Sequence, residues 1–240
     1  MVGKNQIKLI KSLRQKKYRN LHNLFVAEGI KMVKELLDSD FDVYAIYTTD
    51  LLILGSIRVP QTLVSEIDLG RMSALKNPSP VLGVFYRPRT MKIEVTDWIL
   101  ALDQVSDPGN LGTIIRLCDW FGIRHLICSP DTVDCYNPKV LQATMGSIAR
   151  VNVVYRDLAD MIKESGQKVF GAFMDGDVLG RSGLPPKGIL VMGNEANGIS
   201  SKISALCDQR VAIPQFGPAT AESLNVASAT AILLHQIRGF

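Results

Sequence analysis

The stretch WILALDQVSDPGNLGTIIRLCDWFGIRHLIC, residues 98–128, decides the fold class because it contains a complete strand–helix–strand unit. An apolar run at 98–102 leads through a polar loop to an amphipathic segment at 112–121 and a second apolar run at 125–128. Short apolar strands that alternate with helices are typical of a parallel sheet covered on both faces. The unit therefore predicts an α/β fold.

The same alternation continues to the end of the chain. We predict further strands at 151–154, 169–173, 189–192 and 210–213, and helices at 139–147, 158–165, 201–206 and 225–238. The first ninety residues read as helix, helix and then strands, including a helix at 25–37 and strands at 43–47 and 81–85. A polar, proline-marked stretch at 87–90 separates the two parts. We therefore predict two domains, residues 1–92 and 93–240.

Composition limits the class of protein. An apolar fraction of 47% excludes general disorder, and no apolar run is long enough to cross a membrane. The first residues lack the apolar core of a signal peptide. With three scattered histidines and no Cys-x-x-Cys pair, no metal site is expected. The cysteines predict reduced thiols in a cytoplasmic protein, and they are Cys118, Cys128, Cys135 and Cys207.

The N-terminal segment carries positive charge only. Between residues 1 and 27 there are seven basic residues and no acidic one, namely Lys4, Lys8, Lys11, Arg14, Lys16, Lys17 and Arg19. Such a run is a candidate surface for RNA phosphates, but a solvated helix face explains the same pattern. In the first helix the lysines share one stripe and the apolar residues another, which predicts a docked helix with its charges outward.

Three polar, glycine-containing segments follow predicted strands, at 103–116, 193–198 and 213–225. Ligands of open parallel sheets bind beyond the carboxyl ends of the strands, so these segments are candidates for a site. Each candidate residue also has an ordinary structural interpretation. Asparagine and serine cap helices, glycine permits turns, and an arginine often lies on a helix surface.

Absent motifs narrow the possible chemistry. The chain contains neither the Gly-x-Gly-x-x-Gly pattern nor the phosphate loop of nucleotide-binding proteins, which disfavours a Rossmann-type nucleotide enzyme. It also lacks the Gly-x-Ser-x-Gly elbow of hydrolases and any acidic pair suited to a catalytic metal.

The three segments together resemble a known family. The matching motifs are Asn110-x-Gly112-x-x-x-Arg116, then Gly193-Asn194-Glu195-x-x-Gly198-Ile199, then Ile213-Pro214…Glu222-Ser223-Leu224-Asn225-Val226. In order and spacing they are similar to the motifs of the SpoU/TrmH family, RNA ribose 2′-O-methyltransferases of the SPOUT class. The resemblance is close over 96–240. Residues 1–90 resemble more loosely, through 25–29 and 81–84, an RNA-binding domain with a ribosomal-protein fold.

The resemblance implies S-adenosylmethionine as methyl donor, held in a C-terminal trefoil knot and contacted by Gly193, Ile213 and Leu224. It also implies a polar catalytic set, which comprises Asn110, Arg116, Glu195, Ser223 and Asn225. Finally, it implies a homodimer built on the C-terminal domain, for which late residues of the chain would supply packing, namely Ala229, Ile232, Leu233 and His235.

The resemblance leaves some choices open. Family mechanisms use the arginine as base, but a guanidinium stays protonated in proteins, so we expect Arg116 to engage the ribose and its phosphate. A separate N-terminal domain favours ribosomal RNA over transfer RNA. A catalytically silent RNA-binding protein of the same fold is the alternative. The chain departs from the family pattern in two places that bear on the shape of the donor pocket. These are a longer spacer at 216–221 and the pair Asn194 and Asn197.

Overall fold

The structure is a computed structural model that describes residues 2–89, 91–178, 184–217 and 222–239. It divides into two compact units, Met1–Arg89 with Asp134–Ala149, and Thr90–Val133 with Arg150–Phe240. The segment Asp134–Ala149 therefore belongs to the first unit, although the sequence pattern places it in the second domain. Within that unit Asp134 pairs with the buried Arg19, and the Tyr136 ring packs on Phe25.

The first unit contains a four-stranded sheet with order β1-β4-β2-β3. Its elements are α1 Lys4–Ser12, α2 Lys16–His22, β1 Leu24–Glu28, α3 Ile30–Leu37, β2 Val43–Thr48, β3 Gln61–Leu63, α4 Glu66–Met72 and β4 Val81–Tyr86. Strand β4 pairs antiparallel with β1 and β2, and β3 runs parallel to β2. Ile10 and Leu13 are buried in the core of this unit, as the apolar stripe of the first helix predicts.

The prediction of one helix over 25–37 is wrong in its first part. Residues Leu24–Glu28 form strand β1, and the helix α3 begins only at Ile30. Gly29 separates them with a φ of 109°, a conformation that side chains disfavour. Pairing with β4 supplies the backbone hydrogen bonds of β1, and this long-range pairing overrides the local helical pattern.

The second unit contains the predicted α/β alternation. Its elements are β5 Ile99–Leu102, α5 Pro108–Trp120, β6 His125–Cys128, β7 Asn152–Tyr155, α7 Leu158–Ser165, β8 Val169–Val178, β9 Ile189–Met192, α8 Ser201–Ser204, β10 Gln209–Ala212 and α9 Val226–Arg238. Helix α6, Pro138–Thr144, and a 3-10 turn, Ser147–Ala149, interrupt this series and belong to the first unit.

The strands of the second unit form a sheet with order β10-β8-β9-β5-β6-β7, and each neighbouring pair is parallel. Every residue of β5, β6 and β9 is buried, as in a sheet covered on both faces. The predicted α/β fold class is confirmed. Because β5 and β9 are parallel neighbours, the loops that follow them leave the same edge of the sheet.

Helix α5 packs as its sequence predicts. Leu111, Ile114, Ile115 and Cys118 are buried, whereas Arg116 lies on the exposed side. Helix α9 packs against α5 and buries Leu233 and Leu234. Within the described ranges, no helix combines the length and the apolar character that crossing a membrane requires.

Candidate active site

A cavity of about 840 Å³ lies in the second unit and is lined by residues from the ends of β9 and β10 and the start of α9. Its lining includes the three residues expected to hold a methyl donor, Gly193, Ile213 and Leu224, and it also includes Glu195 and Ser223. Leu224 is 50% exposed, so it is an apolar side chain at the cavity rather than a core residue. The second and third motifs therefore meet at one place.

A chain of side-chain hydrogen bonds joins all three motifs. Asn225 Nδ2 donates to Asn110 Oδ1 at 2.9 Å, and Asn110 Nδ2 donates to Glu195 Oε1 at 2.9 Å. Asn225 Oδ1 also accepts from the backbone N–H groups of Ala227 and Ser228, so this side chain caps α9. The amides of Asn110 and Asn225 thus bond to protein groups and hold the loops together.

Glu195 connects the second motif to the start of α5. Its carboxylate accepts from the backbone N–H of Ser106 and of Asp107, each at 3.2 Å, as well as from the amide of Asn110. Burial raises the pKa of Glu195, but the hydrogen bonds from Asn110, Ser106 and Asp107 outweigh it and bring the pKa below its ordinary value. The side chain is therefore ionised at neutral pH.

Steric restrictions in the second motif require glycine at positions 193 and 198. A Cβ on Gly193 would lie 2.2 Å from the carbonyl carbon of Gly198, so any side chain there would collide with the opposite arm of the loop. Gly198 has a φ of 66°, in the left-handed region. Both residues let the loop close on itself beside the cavity.

Asn194 departs from the family pattern of the second motif. In the structure its Nδ2 donates to the carbonyl of Gln104 at 2.7 Å, and its Oδ1 accepts from the N–H groups of Ala196 and Asn197. Gln104 has a φ of 60°, which is unusual for a residue with a side chain. Asn194 therefore holds a strained residue of the first loop against the second, a link that only the tertiary structure reveals.

The N-cap of α5 is Asp107 rather than Asn110. The Asp107 carboxylate accepts from the N–H of Asn110 at 2.8 Å, and Pro108 occupies the first turn. An aspartate followed by proline is a common signal for a helix start, so the sequence contained the information to find it. Asn110 is thereby freed from capping, and its amide bonds to the other two motifs.

Arg116 does not line the cavity. It lies on the exposed side of α5 and, within the part of the chain that the structure describes, its guanidinium makes no hydrogen bond. Trp120, one helical turn further along, is 84% exposed. A free guanidinium and a large apolar side chain thus share one exposed side of the helix.

The seven basic residues of the N-terminal segment fall into two groups. Six are exposed: Lys4, Lys8, Lys11, Arg14, Lys16 and Lys17. Arg14 also donates to the carbonyl oxygen of Ser73. Lys17 lies over the Tyr18 ring, with its Nζ 4.8 Å from the ring centroid, and Tyr18 stacks on His22. The segment therefore presents cations together with an aromatic pair.

Arg19 differs from the other six. It is 2% exposed, its guanidinium pairs with Asp134, and it donates to the carbonyl oxygens of Leu13 and Arg14. A buried guanidinium with these partners cannot reach a phosphate, so we remove Arg19 from the candidate RNA surface. The sequence could not reveal this role because Asp134 lies 115 residues away.

Among the described residues, no cluster of histidine, cysteine, aspartate or glutamate could hold a metal ion. Cys118, Cys128 and Cys135 are buried thiols, and Cys207 is half-buried. Burial raises the pKa of the Cys207 thiol to about 11, so it is protonated at neutral pH.

Comparison with protein families decides the identity of this fold. Residues 97–235 match the model of the SpoU rRNA Methylase family, and residues 4–83 match the model of the MRM3-like substrate binding domain. The chain belongs to the SpoU rRNA methylase family. The resemblance of its three motifs is thereby confirmed.

Relatives within the SpoU family match the whole chain. The 23S rRNA (guanosine(2553)-2′-O)-methyltransferase RlmP of Bacillus subtilis is 33% identical over 99% of this chain and 98% of its own length. A TrmH-family structure from Porphyromonas gingivalis is 38% identical, with a TM-score of 0.90 over 99% of this chain and 98% of that one. The AdoMet-bound rRNA methyltransferase of Sinorhizobium meliloti is 28% identical, with a TM-score of 0.86 over 99% and 95%.

Proposed function

We propose that this chain transfers a methyl group from S-adenosylmethionine to a ribose 2′-hydroxyl of RNA, with ribosomal RNA as the substrate class. The observation that carries the proposal is the hydrogen-bond chain from Asn225 through Asn110 to Glu195 beside the cavity. The relatives RlmP and the Sinorhizobium meliloti enzyme, both named as rRNA methyltransferases, support the choice of ribosomal RNA. The reduced thiols fit a cytoplasmic protein.

The cavity fits the proposed donor in size and chemistry. A volume of about 840 Å³ lies within the range of sites for small ligands. Ile213 and Leu224 offer apolar surface suited to an adenine ring, and Gly193 leaves backbone accessible at the wall. The carboxylates of Glu195 and Glu222 complement a cationic ligand. We propose that the family's C-terminal knot forms this pocket.

The chain's own groups would position the acceptor. Bound S-adenosylmethionine would supply a methyl group already activated by its sulfonium charge, so no metal is required. Arg116 would grip the ribose and its adjoining phosphate through the two-pronged geometry of its guanidinium. Because their amides bond to each other and Asn110 bonds to Glu195, Asn110 and Asn225 act as positioning residues. Ser223 lies two residues before Asn225 and lines the cavity.

We propose that the exposed lysines of α1 and α2 bind the RNA backbone. Residues 1–27 contain no carboxylate to compete for these cations. The aromatic pair Tyr18 and His22 beside Lys17 adds a surface on which an unpaired base can stack. The match of residues 4–83 to the model of a substrate-binding domain supports this assignment.

We propose that two copies pair through the second unit. The sequence suggested Leu233 for the interface, but it is 1% exposed and belongs to the chain's own core. It is therefore not available to a partner chain. Ile232 remains available at 37% exposure, and Trp120 adds a large exposed apolar side chain next to Arg116. A partner covering Trp120 would bring a second copy close to Arg116, which supports a site completed by two chains.

The proposal is tested by methylation of purified RNA and by mapping 2′-O-methyl sites in cells with and without the protein. Ribosomal RNA lacking the modification should accept one methyl group at a ribose that then resists alkaline cleavage. Arg116→Ala serves as the inactive control. Methylation of transfer RNA alone would overturn the substrate class, and donor binding without any methylated RNA would favour the silent RNA-binding protein.

A further inference from the structure

Strand β8 makes a long excursion from its partner β10. Gln209 and Arg210 pair with Phe170 and Gly171, but the next residue of β10, Val211, pairs with Asp177. Residues 172–176 of β8, which we call the excursion, therefore have no partner in the β8–β10 register. An irregularity of this kind redirects side chains and needs contacts to fix its shape.

The excursion supplies one wall of the cavity. Ala172, Phe173 and Met174 line the cavity together with the motif residues, although none of them belongs to a family motif. Gly176 ends the excursion in close contact with β10, because a Cβ there would lie 2.6 Å from the carbonyl carbon of Val211. The path of the excursion is thus tightly limited at this end.

Arg210 contacts the excursion at two points. Its guanidinium carbon lies 3.6 Å from the centroid of the Phe173 ring, and Nη2 forms an ion pair with Asp175. Nη1 is 3.5 Å from the hydroxyl of Ser204. Arg210 is not among the lining residues, so it reaches the cavity only through Phe173.

We propose that Arg210 is a positioning residue for the methyl donor, because it stacks on Phe173 and fixes the excursion in the shape that walls the donor cavity. The proposal rests on the proposed function, since it assumes that this cavity binds the donor. It assigns a role to an arginine outside the three motifs, three residues before the third motif begins at Ile213.

We expect the stacking of Arg210 on Phe173 to fix the excursion more strongly than the ion pair with Asp175 does. The side chain of Asp175 is 75% exposed and that of Arg210 is 45% exposed, and ion pairs in such surroundings contribute little. A planar guanidinium over an aromatic face is a more specific contact, which a lysine reproduces poorly. We therefore expect Arg210→Lys to behave like Arg210→Ala, and Asp175→Asn to remain close to the wild type.

Calorimetric titration of S-adenosylmethionine and its demethylated product into the full chain tests the proposal. Arg210→Ala should weaken binding of both by roughly threefold to tenfold, while affinity for RNA stays unchanged. Arg156→Ala is the matched control, because Arg156 forms an exposed ion pair with Glu164 in the same unit and does not line the cavity. It should bind the donor as the wild type does.

A double-mutant cycle identifies the route of the effect. If Arg210 acts through Phe173, then Phe173→Leu should reduce the effect of Arg210→Ala, and the two changes should not be additive. Additive effects would overturn the proposal, as would wild-type donor affinity in Arg210→Ala. If Arg210→Ala fails to fold, the lysine variant decides, and wild-type affinity there overturns the proposal. Failure of the wild type to bind any donor would instead overturn the proposed function.

Discussion

Replacing Asn110 by aspartate would put two carboxylates at the centre of the site. The Asn110 amide nitrogen is 2.9 Å from Glu195 Oε1, so Asn110→Asp exchanges a hydrogen bond for repulsion at about the same distance. Coulomb's law gives roughly 1.4 kcal/mol at this separation in bulk water and roughly 5–6 kcal/mol at the effective dielectric near a protein surface. Because the two groups are partly exposed, we expect their repulsion to raise the free energy of the assembled site by roughly 2–4 kcal/mol.

This penalty should depend on pH with a defined sign. In the wild type the pKa of Glu195 is lowered, so the stabilisation from its hydrogen bonds is present at neutral pH and disappears as the pH falls through that lowered value. In Asn110→Asp, repulsion raises the pKa of the pair, and one shared proton restores a hydrogen bond. The penalty is therefore full above the raised pKa and disappears as the pH falls through it.

Single-turnover methylation at saturating donor, measured across pH, tests this reasoning. At neutral pH Asn110→Asp should be slower than the wild type by roughly 30-fold to several hundred-fold, with partial recovery on acidification. Asn110→Ala should be impaired without acid recovery. Asn137→Asp is the matched control, because Asn137 is a helix N-cap in the first unit, where a carboxylate is favourable. A pH profile identical for the aspartate and alanine variants would refute the argument.

Three further predictions concern the other parts of the molecule. Arg116→Ala should leave donor affinity unchanged but lower single-turnover methylation by orders of magnitude, and Arg116→Lys should recover little; near-normal turnover of the lysine variant would contradict its role. Changing Lys8 and Lys11 to alanine should reduce the slope of log affinity against log salt by roughly one for each RNA phosphate that is no longer neutralised, as measured by RNA binding at several salt concentrations. Asp134→Ala should lower the free energy of unfolding by roughly 3–5 kcal/mol in denaturant titrations, because it leaves the buried Arg19 guanidinium unpaired.

Much of the second unit is predictable from local pattern. The strands His125–Cys128 and Ile189–Met192 and the helix Leu158–Ser165 have the bounds that the sequence indicates. Each is a short element whose apolar residues and flanking turn or cap residues agree with the fold. Where local preference and tertiary packing point the same way, the sequence alone is sufficient.

Features that depend on distant partners are not predictable in this way. The residues of β1 follow a helical pattern but form a strand because β4 supplies its hydrogen bonds. Arg19 looks like its basic neighbours until Asp134 is placed beside it. The excursion at 172–176 depends on the register between β8 and β10, which the apolar pattern of 169–173 does not specify. In each case the decisive contact joins residues far apart in the chain.

The candidate site combines both kinds of information. Asp107 and Asn225 cap helices and Asn194 closes a turn, which are roles that their residue types and neighbours predict. Their mutual contacts are a tertiary fact, because the Asn225 amide bonds to Asn110 and the Asn110 amide to Glu195. One amide therefore both starts helix α9 and joins the third motif to the first. A substitution at Asn225 should disturb the helix start and the loop geometry together, so its effects on stability and on methylation should not separate.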